Sequence, residues 1–166
     1  MPAWFIAPYD FNQTNFKLSN TGETLYLSDP DGNILDYKYT GDIAYAQSMI
    51  RKPDGATTWC ITTDISPGYT NNFATCYTGY EPEPVFSAAS GFYEDALIVY
   101  LSSPSPTSII HYTLDGSEVT EASPIYSGGI LLTDNQVISA KCFSSGDLLP
   151  GKMQKNTYFI DPGDYT

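Results

Sequence analysis

Short runs of alternating apolar and polar residues, each closed by a turn signal, make up most of this chain. Thr24-Leu25-Tyr26-Leu27-Ser28 alternates with Leu25 and Leu27 on one face. Asp29-Pro30-Asp31-Gly32-Asn33 follows, with proline and glycine placed for a tight turn, and Ile34-Leu35-Asp36-Tyr37-Lys38-Tyr39 resumes the pattern. This spacing predicts a β-hairpin. Ahead of it, Phe16-Lys17-Leu18 is a shorter alternation ending at Ser19-Asn20-Thr21-Gly22. Residues 42–50 are the one stretch that could pass for a helix, but they lack a sustained apolar stripe of period 3.6 and read as an irregular turn into a short strand. Pro53-Asp54-Gly55 is another turn, and Trp59 is expected to anchor a core. From Ser66-Pro67-Gly68 onward the chain is polar without alternation, and residues 77–83, running into Pro84, read as an extended linker.

Beyond the linker the alternation is cleaner. Strands are predicted over residues 96–101, 108–113 and 136–143, with shorter ones at Ile125-Tyr126, Ile130-Leu131-Leu132 and 156–160, and turns at residues 102–106, Asp115-Gly116 and Gly128-Gly129. Several short strands at near-regular spacing predict an all-β chain of immunoglobulin-like sandwiches. Neither an internal repeat nor a low-complexity tract interrupts the pattern.

Composition agrees with strands: 14 Tyr and 8 Phe suit a pleated, half-buried surface, while 13 Gly and 12 Pro are spread along the chain as turn residues. At 42% hydrophobic the chain can build a core. Net charge is −12, with eight acids and four bases up to Tyr80 and eleven and three beyond it. A nucleic-acid surface needs clustered cations to displace phosphate counterions, and none occurs, so nucleic acid is not an expected partner. An anionic membrane face is disfavoured for the same reason, and no segment approaches the roughly 18 apolar residues that span a bilayer. The opening Met-Pro-Ala-Trp-Phe-Ile-Ala-Pro has no basic region and too short an apolar run for a leader. An exported protein of this kind would be processed, or a piece of something longer.

Of the three cysteines, Cys60 and Cys76 flank a loop rich in Thr, Gly and Asn. In an oxidising compartment they could close as a disulfide, stabilising the chain by roughly 3 kcal/mol in the chain-entropy model. Cys142 alternates with Ala140 on a predicted strand and reads as a buried thiol. The three lack CxxC spacing and lie far from His111, so a structural zinc site is not expected. Asp29, Asp31, Asn33 and Asp36 invite a calcium reading, but Gly32 is fourth rather than sixth in the loop and no Glu stands at its twelfth position. A hairpin turn explains the same residues, and weak calcium binding is not favoured.

His111 is the only histidine and lies on a predicted strand beside Tyr112, where packing is its expected role. Without a second histidine no nucleophile triad can be assembled, and the carboxylates sit in turns, where raising a pKa by burial is difficult. No catalytic residue, metal site or cofactor is therefore expected. Tyr69, Tyr77 and Tyr80 lie outside the predicted core strands and are the candidate contacts for a glycan or a partner protein. Asn12-Gln13-Thr14 is an N-glycosylation sequon.

Two stretches resemble known families. Phe16-Lys17-Leu18-Ser19, Gly22-Glu23-Thr24-Leu25, Asp31-Gly32-Asn33 and Asp36, followed by Ser48, Arg51, Pro53-Asp54-Gly55, Trp59, Ser66-Pro67-Gly68 and Asn71, resemble the second half of bacterial lamin tail domains over residues 11–72. Pro84-Val85-Phe86-Ser87, Gly91-Phe92-Tyr93, Tyr112-Thr113-Leu114-Asp115-Gly116-Ser117, Ser123-Pro124-Ile125-Tyr126 and Thr157-Tyr158-Phe159 are similar to the chitobiase C-terminal-like, fibronectin type III-associated domain over residues 84–160. The resemblances imply two tandem immunoglobulin-like sandwiches: residues 1–76, a linker at 77–83, and residues 84–162. The first is incomplete at its N-terminal side, because lamin tail domains begin with several further strands and this chain has room for about one. Either it is a cut piece, or a neighbouring polypeptide donates the missing strands. The implied role is a non-catalytic structural or interaction module of a secreted or cell-surface bacterial protein, with other chains or the rest of a longer polypeptide as partners. The alternative is a carbohydrate-binding accessory region of a secreted enzyme.

Overall fold

The turn at Asp29–Asn33 shows why the first hairpin forms. Gly32 adopts a φ of 88°, a conformation costly for other residues, and its N–H donates to the Asp29 carbonyl. The Asp29 carboxylate accepts from the backbone N–H of Asp31 and Asn33 and from the Asn33 amide. These bonds fold β1 (Thr24–Ser28) antiparallel onto β2 (Ile34–Tyr39). The computed structural model describes residues 18–19, 21–41, 43–44 and 46–160; the expected strand at Phe16 and the sequon at Asn12 lie outside them.

The described strands divide between two compact units, Met1–Thr78 and Gly79–Thr166. Unit 1 holds the hairpin and a second antiparallel pair, β3 (Ser48–Arg51) with β4 (Trp59–Thr62). Leu25 and Leu27 are not equivalent, since the register shifts after Leu27; Leu25 is half-buried and Leu27 exposed. Trp59 is likewise no core anchor. It is half-buried, its ring flanked by the Arg51 guanidinium at 4.6 Å and the Lys38 ammonium at 5.5 Å. Arg51 also pairs with Asp36, so one strand pair is tied to the other by charge and ring contacts.

Residues 77–83 are extended but do not run free. Tyr77 exchanges both backbone bonds with Ile61 in unit 1. Further on, β5 (Gly79–Tyr80) pairs in parallel with β13 (Leu148–Leu149), and Glu81 is buried. Polarity hid this strand, because its order comes from a partner almost seventy residues away.

Unit 2 is built as two facing layers, consistent with a β-sandwich. β10 (Ile109–Thr113), β12 (Gln136–Phe143), β14 (Gln154–Ile160) and β7 (Gly91–Tyr93) form a sheet in the order β10-β12-β14-β7, with the last pairing parallel. Across from it lie β8 (Leu97–Val99) with β11 (Ile130–Leu132), and β6 (Val85–Phe86) with β9 (Leu101–Ser102). The run 96–101, expected as one strand, breaks at Tyr100, where pairing passes from β11 to β6. Alternation survives the break: Val99 and Leu101 point inward, Ile98 and Tyr100 outward. The inward set packs with Ile110, Ile130, Leu132, Ile138, Ala140, Cys142, Tyr158 and Ile160 into one core. Among the described residues there is no helix, and no helix long and apolar enough to cross a membrane.

Candidate functional site

The loop between β4 and Tyr77 carries Tyr69 and is pinned from several sides. Cys60, buried on β4, is bridged to Cys76, with Cα atoms 5.5 Å apart. Asp54 reaches across to the same loop: its carboxylate accepts from the Thr70 hydroxyl at 2.6 Å and the Asn71 N–H at 3.1 Å. Asp64 accepts from the Thr75 N–H at 2.6 Å, and Lys52 donates to the Ala74 carbonyl at 2.5 Å. The Pro53-Asp54-Gly55 turn and the Thr70-Asn71 segment, far apart in sequence, are thus one hydrogen-bonded structure. Tyr69 stands exposed at its outer edge.

Tyr69 does not share that position with the other tyrosines proposed beside it. Tyr77 is half-buried and bridged to Ile61, and Tyr80 is half-buried on β5. Both were expected in a loop; Tyr77 instead forms an isolated bridge with Ile61, and Tyr80 pairs with Leu149 in the β5–β13 ladder.

Four turn and loop aspartates are engaged in hydrogen bonds that favour their charged form. The Thr70 hydroxyl chiefly holds the Asp54 carboxyl below its usual range; Asn33, Thr75 and Ser117 do the same for Asp29, Asp64 and Asp115. A general acid needs the opposite displacement. No group of three or more His, Cys, Asp or Glu among the described residues is arranged to hold a metal ion. Asp29 is engaged with Asn33, and Asp36 with Arg51.

His111 is buried on β10, its ring edge-on to Phe143 with centroids 5.0 Å apart. Nδ1 lies 2.8 Å from the Ser123 carbonyl, which can only accept, so Nδ1 carries the proton. Ser123 meets His111 through that carbonyl, while its hydroxyl accepts from the Thr120 N–H. The imidazole therefore fastens the 119–125 segment onto the sheet. Cys142 is a free thiol in the core, and burial pushes its pKa up, which makes it a poor nucleophile.

Unit 1 also offers a groove of about 540 Å³ beside β1, with Leu18, Leu25, Lys38, Ile43, Met49 and Trp59 in its walls. On the opposite face of the hairpin, Tyr26, Leu35, Tyr37 and Tyr39 are all exposed. Sequence reasoning passed over these tyrosines because it placed them within strands and assigned them to packing. Their signal was present: apolar residues at both odd and even positions of β2 leave one set without a core to enter.

The geometry thus defines an all-β protein with open sheet surfaces and turn-bound acids. Residues 88–152, within unit 2, match the family model described as chitobiase/beta-hexosaminidase C-terminal domain; this is less than half of the chain. The match covers the central part of the 84–160 resemblance, whereas the lamin tail resemblance over residues 11–72 gains no support from it. No curated protein and no solved structure matches the chain.

Proposed function

We propose that this chain is a non-catalytic interaction module of an exported protein, in which two immunoglobulin-like units, the first lamin-tail-like, space or dock parts of a larger assembly. The observation that carries the reading is where the apolar residues stand. Tyr26, Leu35, Tyr37 and Tyr39 in unit 1, and Val85, Ile98 and Leu131 in unit 2, are exposed on strands, while the sole histidine is buried. Large exposed apolar surface marks contact more often than chemistry. Native sizing and cross-linking in the producing cell test it. Recovery within a longer polypeptide or a complex supports the reading; a free 18.2 kDa monomer with no partner refutes it.

A second reading, a carbohydrate-binding accessory region, is favoured by two observations. Residues 88–152 match a domain type named for the C-terminal part of chitobiase and beta-hexosaminidase. Unit 1 displays a cluster of solvent-facing tyrosines on its first hairpin.

A further inference from the structure

Residues two apart in a strand share a face, so Thr24 and Tyr26 of β1 stand with Leu35, Tyr37 and Tyr39 of β2. The register sets Tyr26 opposite Tyr37 and Thr24 opposite Tyr39. Exposure is 64% for Tyr26, 64% for Leu35, 68% for Tyr37 and 57% for Tyr39. The Tyr26 and Tyr37 rings are stacked, with centroids 6.2 Å apart and planes 29° off parallel. No side chain on this face is ionic. The hairpin's Asp36 and Lys38 lie on the opposite face, engaged with Arg51 and the Trp59 ring, and hold the strands in place.

We infer that this face binds a neutral polysaccharide, pyranose rings of which pack their C–H faces against the cluster of Tyr26, Tyr37 and Tyr39. This inference rests on the carbohydrate-binding reading above and assigns its site. A tyrosine ring presents an apolar face with a hydroxyl at its rim, and a pyranose presents the same combination through its C–H face and hydroxyl edge. Charge selects among ligands. A chain of net charge −12 repels uronates, sulfated glycans and nucleic acid, and the platform holds no cation to offset that. An extended peptide would pair with the hairpin's edges rather than lie across its face.

The test is titration of the whole chain with cellohexaose, N-acetylchitohexaose and mannohexaose, with oligogalacturonate as the charged control, read by NMR shifts of the tyrosine rings. The expected result is saturable binding of at least one neutral probe that shifts Tyr26, Tyr37 and Tyr39. The Tyr26→Ala/Tyr37→Ala variant should then bind about tenfold or more weakly, while Tyr26→Phe/Tyr37→Phe, which keeps the rings, should retain most of the affinity. Binding left intact in the double alanine variant overturns this site and leaves the carbohydrate reading standing. No shift with any neutral probe overturns both. Preference for oligogalacturonate overturns the neutral class. A concentration-dependent dimer abolished by the alanine pair, without sugar binding, overturns the proposal in favour of a protein contact.

Discussion

In unit 2, ten buried residues from Val99 to Ile160 form one connected core; in unit 1 the corresponding cluster is Ile50, Cys60 and Ala74. The polar chemistry is distributed the other way. Unit 1 has the disulfide, the Asp36–Arg51 pair, the two cations against Trp59, and the Asp54 and Asp64 bonds to its long loop. A small domain cannot bury enough apolar surface to offset chain entropy, and cross-links take over part of that task. The same shortage explains the tyrosine face: side chains with no core to enter are available for a ligand.

The sharpest way to break this comparison is to damage each unit by its own mechanism. Leu132 and Tyr158 are fully buried in unit 2. Leu132→Ala or Tyr158→Ala should cost about 3–5 kcal/mol, read by amide exchange across β12 and β14. A loss below about 1 kcal/mol would mean that the core is not what holds unit 2.

Reduction of Cys60–Cys76, or Cys76→Ser, should next cost roughly 3 kcal/mol, felt by the amides of β3, β4 and the 63–76 loop. Peptide mapping with and without reductant establishes the bridge first. Unchanged exchange in unit 1 after reduction would show that the side-chain pins suffice without it.

Arg51→Ala is the smaller cut. It removes the ion pair with Asp36 and one of the two cations against Trp59, both partly exposed, and should cost about 1 kcal/mol. Faster exchange confined to β1 and β2 is the expected signature, whereas uniform loosening of unit 1 would assign Arg51 a different role.

Acid should separate the units most gently. Asp54 and Asp64 in unit 1 have depressed pKa values, so their contribution is present above the unfolded carboxylate value and is lost as pH falls through the lower folded one. Among the described residues, unit 2 has one such group, Asp115. Between neutral pH and about pH 4 little should change. Below that, protection at Asn71 and Thr75 should fall before that at Ile138. Loss in the reverse order would contradict the assignment of these carboxylates as loop staples.

Both strands of the first hairpin and the turn between them could be read from period-two alternation and the Pro-Asp-Gly-Asn signature, because those forces act between neighbours in sequence. The long strands of unit 2 were legible for the same reason. Alternation also identified Cys142 as a side chain that enters the core. It could not say what Trp59 would meet, since the cations against it come from β2 and β3. It also missed β4, β5, β6, β7 and β13, segments too short to show a period. Sequence shows which side chains share a face of a strand. Only the assembled sheets decide whether that face is covered, and in the hairpin of Tyr26 and Tyr37 it is not.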